Sequence, residues 1–109
     1  GVLIEIDVDK VAPVTLNQPT CVSAAVSSAT RVVGVERVVE NARNLMASED
    51  FSELSSIVPG AYFFIGQGGY APHHPEFVFD PEIIPVGAAI FADLAKLRTS
   101  KTLNSHQLS

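Results

Sequence analysis

Five consecutive apolar residues, Ala61-Tyr62-Phe63-Phe64-Ile65, stand between Pro59-Gly60 and Gly66. An unbroken apolar run of that length, bounded by turn residues, reads as a strand buried on both faces. Such a strand needs neighbours on either side and layers above and below it. The chain has 109 residues, enough for one small domain. Its apolar fraction of 47% and charged fraction of 17% belong to a globular chain, not a disordered one. A mean hydropathy of +0.27 suggests apolar faces meant for a larger body.

A second strand pattern opens the chain. Val2, Ile4, Ile6 and Val8 alternate with Leu3, Glu5, Asp7 and Asp9, a period of two with one buried face. Lys10 to Gln18, with Pro13, reads as a linker. Asn17, Gln18 and Pro19 signal a helix start, a capping side chain followed by proline in the first turn. The spacing predicts a helix to about Val33, with Val22, Ala25, Val26 and Ala29 as its stripe and Gly34 as its stop. Val35 to Ala42 suggests a short strand. Ser48 is placed to cap a short helix with Glu49 and Asp50 in its first turn and Phe51, Leu54 and Ile57 on one face. Asp80-Pro81-Glu82 predicts another helix start, with Pro85 setting its first turn apart. Val86, Ala89, Ile90, Leu94 and Leu97 form the stripe of that helix, and residues 99–109 read as a flexible tail. The fold class expected is α/β, with few strands in hand and a sheet continued by segments outside this chain.

The chemistry-bearing residues cluster between Glu49 and Phe77. Gly66 to Phe79 is a long irregular loop directly after the buried strand, a common place for function. It carries His73-His74, and neutral imidazole is a frequent zinc ligand. Pro75 biases His74 toward extended backbone, so the two rings should diverge and only one reach a given metal. A surface loop with two histidines and no ligand role fits the same residues. Glu49-Asp50 could orient a ligand or contact substrate, or simply complement a helix dipole. Gly66, Gly68 and Gly69 would allow close backbone approach, but no phosphate-loop spacing is present. Cys21 is the one cysteine, which excludes an intrachain disulfide and a cysteine zinc cluster. It reads as a small packed residue, and His106 carries no assignment. The net charge of −5 and the lack of a basic run argue against nucleic acid or an anionic membrane as partner. No apolar stretch is long enough to cross a bilayer. There is no signal-peptide pattern after Gly1 and no retention signal at the C-terminus, so a cytoplasmic location is expected.

The ordered motifs also resemble a known family. Met46-Ala47-Ser48-Glu49-Asp50-Phe51 is similar to the M-G-S-E-D-F stretch of zinc-dependent amidohydrolases, the N-acyl-amino-acid, hippurate and auxin-conjugate hydrolases related to carboxypeptidase G-type metallopeptidases. Val58-Pro59-Gly60 through Ile65-Gly66 resembles their V-P-G-x-x-x-x-L-G strand. His73-His74-Pro75-Glu76-Phe77 resembles their H-S-P-x-F or H-N-P-x-F segment, and Ile84-Pro85-Val86-Gly87-Ala88-Ala89 their L-P-x-G-A-A helix. Thr15-Leu16-Asn17 resembles the T-V-N that follows the last strand of their smaller domain. Ala47 stands where the family has glycine, and His74 where it has serine or asparagine.

The resemblance implies a C-terminal piece of a zinc-exopeptidase-like three-layer catalytic domain. Residues 1–10 would be the last strand of a lid or dimerisation domain, and 11–98 the end of the catalytic domain. It implies hydrolysis of the amide bond of N-acyl amino acids or similar conjugates, with two divalent metals, zinc or manganese, activating water. His73 would be one metal ligand. Glu49, Asp50, Gly66 and His74 would lie near the site as supporting or substrate-contacting residues. The other ligands and the general-base glutamate would lie before Gly1, so this chain would hold no catalytic residue and be inactive alone. The full-length protein would be a homodimer. The alternatives are a non-enzymatic binding or assembly module, an enzyme whose His73 loop works without metal, and a related metallopeptidase acting on small peptides.

Overall fold

A computed structural model describes residues 1–9, 12–45 and 49–106, the stretch 101–106 as helical backbone only. Three α-helices appear among them: α1 (Pro19–Val33), α2 (Phe51–Ser55) and α3 (Ile84–His106). Short 3₁₀ turns at Val35–Arg37 and Pro81–Ile83 follow α1 and precede α3. No helix among the described residues is long and apolar enough to cross a membrane.

The helix boundaries follow from their caps. The Gln18 side-chain carbonyl accepts from the backbone N–H groups of Thr20 (2.8 Å) and Cys21 (3.1 Å), two donors the helix cannot satisfy itself. Pro19 occupies the first turn, where its missing N–H costs nothing. Gly34 ends α1 at φ 88°, and its N–H donates to Thr30 O at 3.0 Å. Asp80 caps the turn at Pro81–Ile83 by accepting from Glu82 N at 3.0 Å. That turn absorbs the break that Pro85 anticipates, and Pro85 then sits harmlessly in the first turn of α3.

The helices α1 and α3 pack on each other. Cys21 lies near Arg98 and Ser28 near Asp93, so they run antiparallel. Their contact centres on one carboxylate oxygen. Asp93 Oδ2 accepts from the fully buried Ser28 hydroxyl at 2.6 Å and from Arg31 Nε and Nη2 at 3.0 and 2.6 Å. Arg31 also donates to Ser27 Oγ at 2.7 Å. Ser27, Ser28 and Arg31 share one side of α1 because they lie three and four residues apart. One turn before Asp93, Ile90 is 4% exposed, the one buried apolar side chain among the described residues. Its burial contributes about 2 kcal/mol.

Several expectations are corrected. Among the described residues no segment pairs as a β-strand. Val2–Val8 is exposed on both sides, Val2 at 89% and Leu3 at 96%, so the expected buried face is not found, and Phe64 at 69% shows that Ala61–Ile65 is not buried on both faces. Strand hydrogen bonds require a neighbouring segment, and no described segment of this chain fills that place. The expected strand at Val35–Ala42 is replaced at its start by a 3₁₀ turn, with Arg37 N donating to Gly34 O and Val38 N to Val35 O, both at 3.2 Å. Of the residues expected on one face of the short helix, Ile57 lies beyond its end at Ser55, and Leu54 and Ile57 are exposed, Ile57 at 81%. The helix α3 continues to His106, eight residues into the expected tail at 99–106. The cap expected at Ser48 lies outside the described residues.

Side chains along Ala61–Ile65 alternate in their contacts. Tyr62 and Phe64 meet edge to face at 5.2 Å, with Phe51 beyond Tyr62 at 5.4 Å. Phe63 turns instead to Phe91 on α3 at 5.8 Å. Ile65 approaches α3 at Gly87, where a Cβ would stand 3.2 Å from Ile65 Cδ1.

The accessible surface is 9533 Å², against roughly 5,800 Å² for a folded monomer of this mass. The radius of gyration is 18.8 Å, against about 13 Å for a compact chain of this length. Apolar side chains such as Phe64 (69% exposed) and Phe91 (63%) account for part of the excess.

The Arg31 guanidinium hydrogen bond, with the Ser28 hydroxyl second, holds the Asp93 carboxyl below its ordinary value. A depressed carboxyl stabilises the folded state above its unfolded value, about 3.9, and that contribution is lost as pH falls through the lower folded value. Helicity of the chain, followed by circular dichroism, is expected to fall on acidification below about pH 4. Asp93→Asn should lower thermal stability at neutral pH and flatten that acid response.

Candidate functional site

The candidate site is built from the loop after residue 65 and from the acidic pair before α2. Gly68 and Gly69 adopt φ 79° and 74°, the left-handed region that glycine enters freely. A Cβ on Gly66 would meet nothing within 4 Å, so its flank is open. Gln67 then closes the loop. Its Nε2 donates to Val78 O at 2.8 Å, and its Oε1 accepts from Asp80 N at 3.1 Å. One amide thus joins the two ends of the loop and ties it to the start of α3.

The two histidines differ in their contacts. The His74 ring stacks on Tyr70, with centroids 4.0 Å apart and planes 5° from parallel. Its Nδ1 accepts from Glu76 N at 3.1 Å, which requires Nδ1 to be unprotonated. His74 N donates to Ala71 O and Phe77 N to His74 O, so His74 is tied into turns on both sides. His73 is exposed and makes no hydrogen bond or ring contact among the described residues. It stands at φ 72°, the one non-glycine residue with positive φ among them. Such a backbone costs about 1 kcal/mol and draws attention to function.

The acidic pair divides as well. Glu49 is half-buried, and its Oε2 accepts from the Tyr62 hydroxyl at 3.1 Å. That hydrogen bond, with partial burial second, raises the Tyr62 phenol above its ordinary value. Asp50 is exposed, and its side chain does not cap α2. Both residues support the helix through their backbone carbonyls, which accept from Ser52 N and Glu53 N.

Tyr62 itself is held by Asn17. Asn17 Oδ1 accepts from Tyr62 N at 2.7 Å, and Asn17 Nδ2 donates to Tyr62 O at 3.0 Å. Gln18 N donates to Gly60 O at 2.9 Å beside it. Residues 16–18 and 55–60 also line an open groove of about 350 Å³, which includes neither histidine and neither member of the acidic pair.

Asn17, Tyr62 and Gln67 were not among the candidates read from the sequence. Asn17 was read as part of a helix start, and Gln18 alone provides that cap. The bond from Glu49 to Tyr62 spans thirteen residues with no periodicity to signal it. Cys21 is half-buried with Arg98 Nη2 4.0 Å from its sulfur, consistent with a packed residue. Ser52 is fully buried, and its hydroxyl has no partner among the described residues.

Among the described residues no three His, Cys, Asp or Glu side chains gather as a metal site. His73 has suitable donor chemistry, but one imidazole does not make a centre. The donors among the described residues therefore do not by themselves make a metal centre.

Residues 3–97 match the peptidase family M20/M25/M40, and the chain belongs to that family. It is 37% identical over 70 residues to IAA-amino acid hydrolase ILR1-like 4 of Arabidopsis thaliana, covering 59% of this chain and 16% of that protein. It is 35% identical over 95 residues to hippurate hydrolase of Campylobacter jejuni, covering 84% and 25%. It is 32% identical over 96 residues to thermostable carboxypeptidase 2 of Saccharolobus solfataricus, covering 80% and 23%. The chain thus spans about a sixth to a quarter of the length of these relatives. No solved structure matches.

The Gln67 clamp gives a direct test. Gln67→Ala removes two hydrogen bonds, each worth about 1 kcal/mol, so hydrogen exchange at the Asp80 amide should accelerate by roughly tenfold or more. Exchange within the middle of α1 should not change.

Proposed function

We propose that this chain is part of a metal-dependent hydrolase that cleaves the amide bond of N-acyl amino acids or similar conjugates. The observation that carries this reading is His73. It is an exposed imidazole without a partner among the described residues, held at φ 72° on a loop closed by Gln67, in a chain of the M20/M25/M40 family. An imidazole so placed is available to an ion or substrate group supplied from outside this chain. The names of the plant and Campylobacter relatives suggest the substrate class.

In this reading His73 contributes one ligand to a pair of divalent ions, zinc or manganese, and segments outside this chain contribute the rest. Glu49, Asp50, Gly66 and His74 border the site. Residues 11–98 complete a three-layer α/β catalytic domain, in which Ala61–Ile65 pairs with strands from elsewhere. Residues 1–10 form the last strand of a lid or dimerisation domain, and the whole protein is a homodimer. The unpaired period-two run and the large accessible surface support this placement. A second reading, a peptidase of small peptides, draws on the similarity to the Saccharolobus carboxypeptidase.

The test uses the whole protein that carries this chain. His73→Ala should reduce bound zinc or manganese and lower hydrolysis of N-acetyl and N-benzoyl amino acids by roughly a hundredfold or more. Unchanged metal content and activity would remove the ligand assignment. Faster cleavage of dipeptides than of N-acyl amino acids would favour the second reading. The 109-residue chain alone is expected to show no hydrolysis, and metal-dependent turnover by it would refute the dependence on outside ligands.

A further inference from the structure

We propose that Tyr62 is a positioning residue: its hydroxyl holds one oxygen of Glu49, so that the other is presented as a fixed acceptor at the edge of the site. The inference rests on the reading that Glu49 borders the site of the hydrolase.

The geometry makes Tyr62 the fixed member of the pair. Its backbone is held at both polar groups by the Asn17 amide, at 2.7 and 3.0 Å. Its ring lies between Phe51 and Phe64, with centroids at 5.4 and 5.2 Å. The hydroxyl therefore has a set place that does not depend on its partner. Glu49 has no such support. It sits just before α2 on a flexible side chain, whose several rotamers would scatter its charge. The bond at 3.1 Å from the Tyr62 hydroxyl to Oε2 selects among them.

A carboxylate offers about four acceptor positions. Among the described residues Glu49 uses one of them, on Oε2. Oε1 makes no hydrogen bond with those residues. A carboxylate oxygen held in one direction on a half-buried residue suits an N–H or O–H donor, such as a ring nitrogen of a ligand histidine or an amide nitrogen of a substrate. Phenylalanine at position 62 would preserve the aromatic contacts and lose only this selection.

The experiment compares Tyr62→Phe, Glu49→Gln and the double variant in the whole protein. Subtracting the tyrosinate absorbance titration of Tyr62→Phe from that of the parent isolates the ionisation of Tyr62. Losing the Glu49 charge should move that ionisation to lower pH, measured as the same difference in the Glu49→Gln background. An unmoved ionisation overturns the pair. In hydrolysis assays Tyr62→Phe should lower kcat roughly tenfold, with KM unchanged within about twofold. The double variant should match Glu49→Gln alone, because the hydroxyl acts through the carboxylate. Additive losses, or no loss in Tyr62→Phe, overturn the positioning role. Absence of hydrolysis in the parent protein counts against the function proposed above, and the ionisation measurement then decides the Tyr62–Glu49 pair by itself.

Discussion

The Asn17 side chain performs the task of a neighbouring strand. It gives an acceptor to Tyr62 N and a donor to Tyr62 O, the exchange that one residue of an antiparallel pair makes with another. Through this contact the chain entering α1 is tied to the apolar run. Phe63 carries the connection to α3, and the Tyr62 hydroxyl carries it to the acidic pair. With Gly60 held by Gln18, the run is fixed near its start although no strand flanks it among the described residues. The arrangement gives Ala61–Ile65 a direction and a register before any sheet is present.

The contact between α1 and α3 works by a different means. Its apolar content is small, with Ile90 as the one buried hydrophobic side chain among the described residues. Specificity comes from the convergence of a buried hydroxyl and a guanidinium on one oxygen of Asp93. A polar lock of this kind fixes the relative position of two helices more strictly than it stabilises them, because an apolar contact tolerates sliding and a shared hydrogen-bond acceptor does not. The lock accordingly orders the helices while many large apolar side chains among the described residues stay exposed.

The parts legible in the sequence were those governed by neighbouring residues. Gln18-Pro19 and Gly34 marked the ends of α1, and Asp80-Pro81 marked the turn before α3, because caps act over two to four residues. The unbroken apolar run did not signal the alternating contacts along Ala61–Ile65, which arise from the local direction of side chains on an extended chain. Pairing is not local, so the expected strands did not form among the described residues. The stacking of His74 on Tyr70 and the Gln67 clamp depend on how the loop folds back, which adjacency along the chain does not encode. Glu49 could be picked out by its motif, but its partner Tyr62 could not, because nothing in the intervening residues encodes that approach. The family resemblance supplied the expected role of His73, which no local pattern distinguishes from a histidine on an ordinary surface loop.

The loop tip reads Pro72-His73-His74-Pro75. Proline fixes φ at position 72, and Pro75 restricts the backbone of His74 before it. His74 is further held by Tyr70, Ala71 and Glu76. Of these four residues only His73 has neither a proline restriction nor a hydrogen-bonded anchor among the described residues. The one residue of the tip without such a restraint is thus the one that carries the exposed, uncontacted imidazole. An imidazole flanked by restrained residues loses less backbone freedom when a ligand holds it than one in an unrestrained loop would.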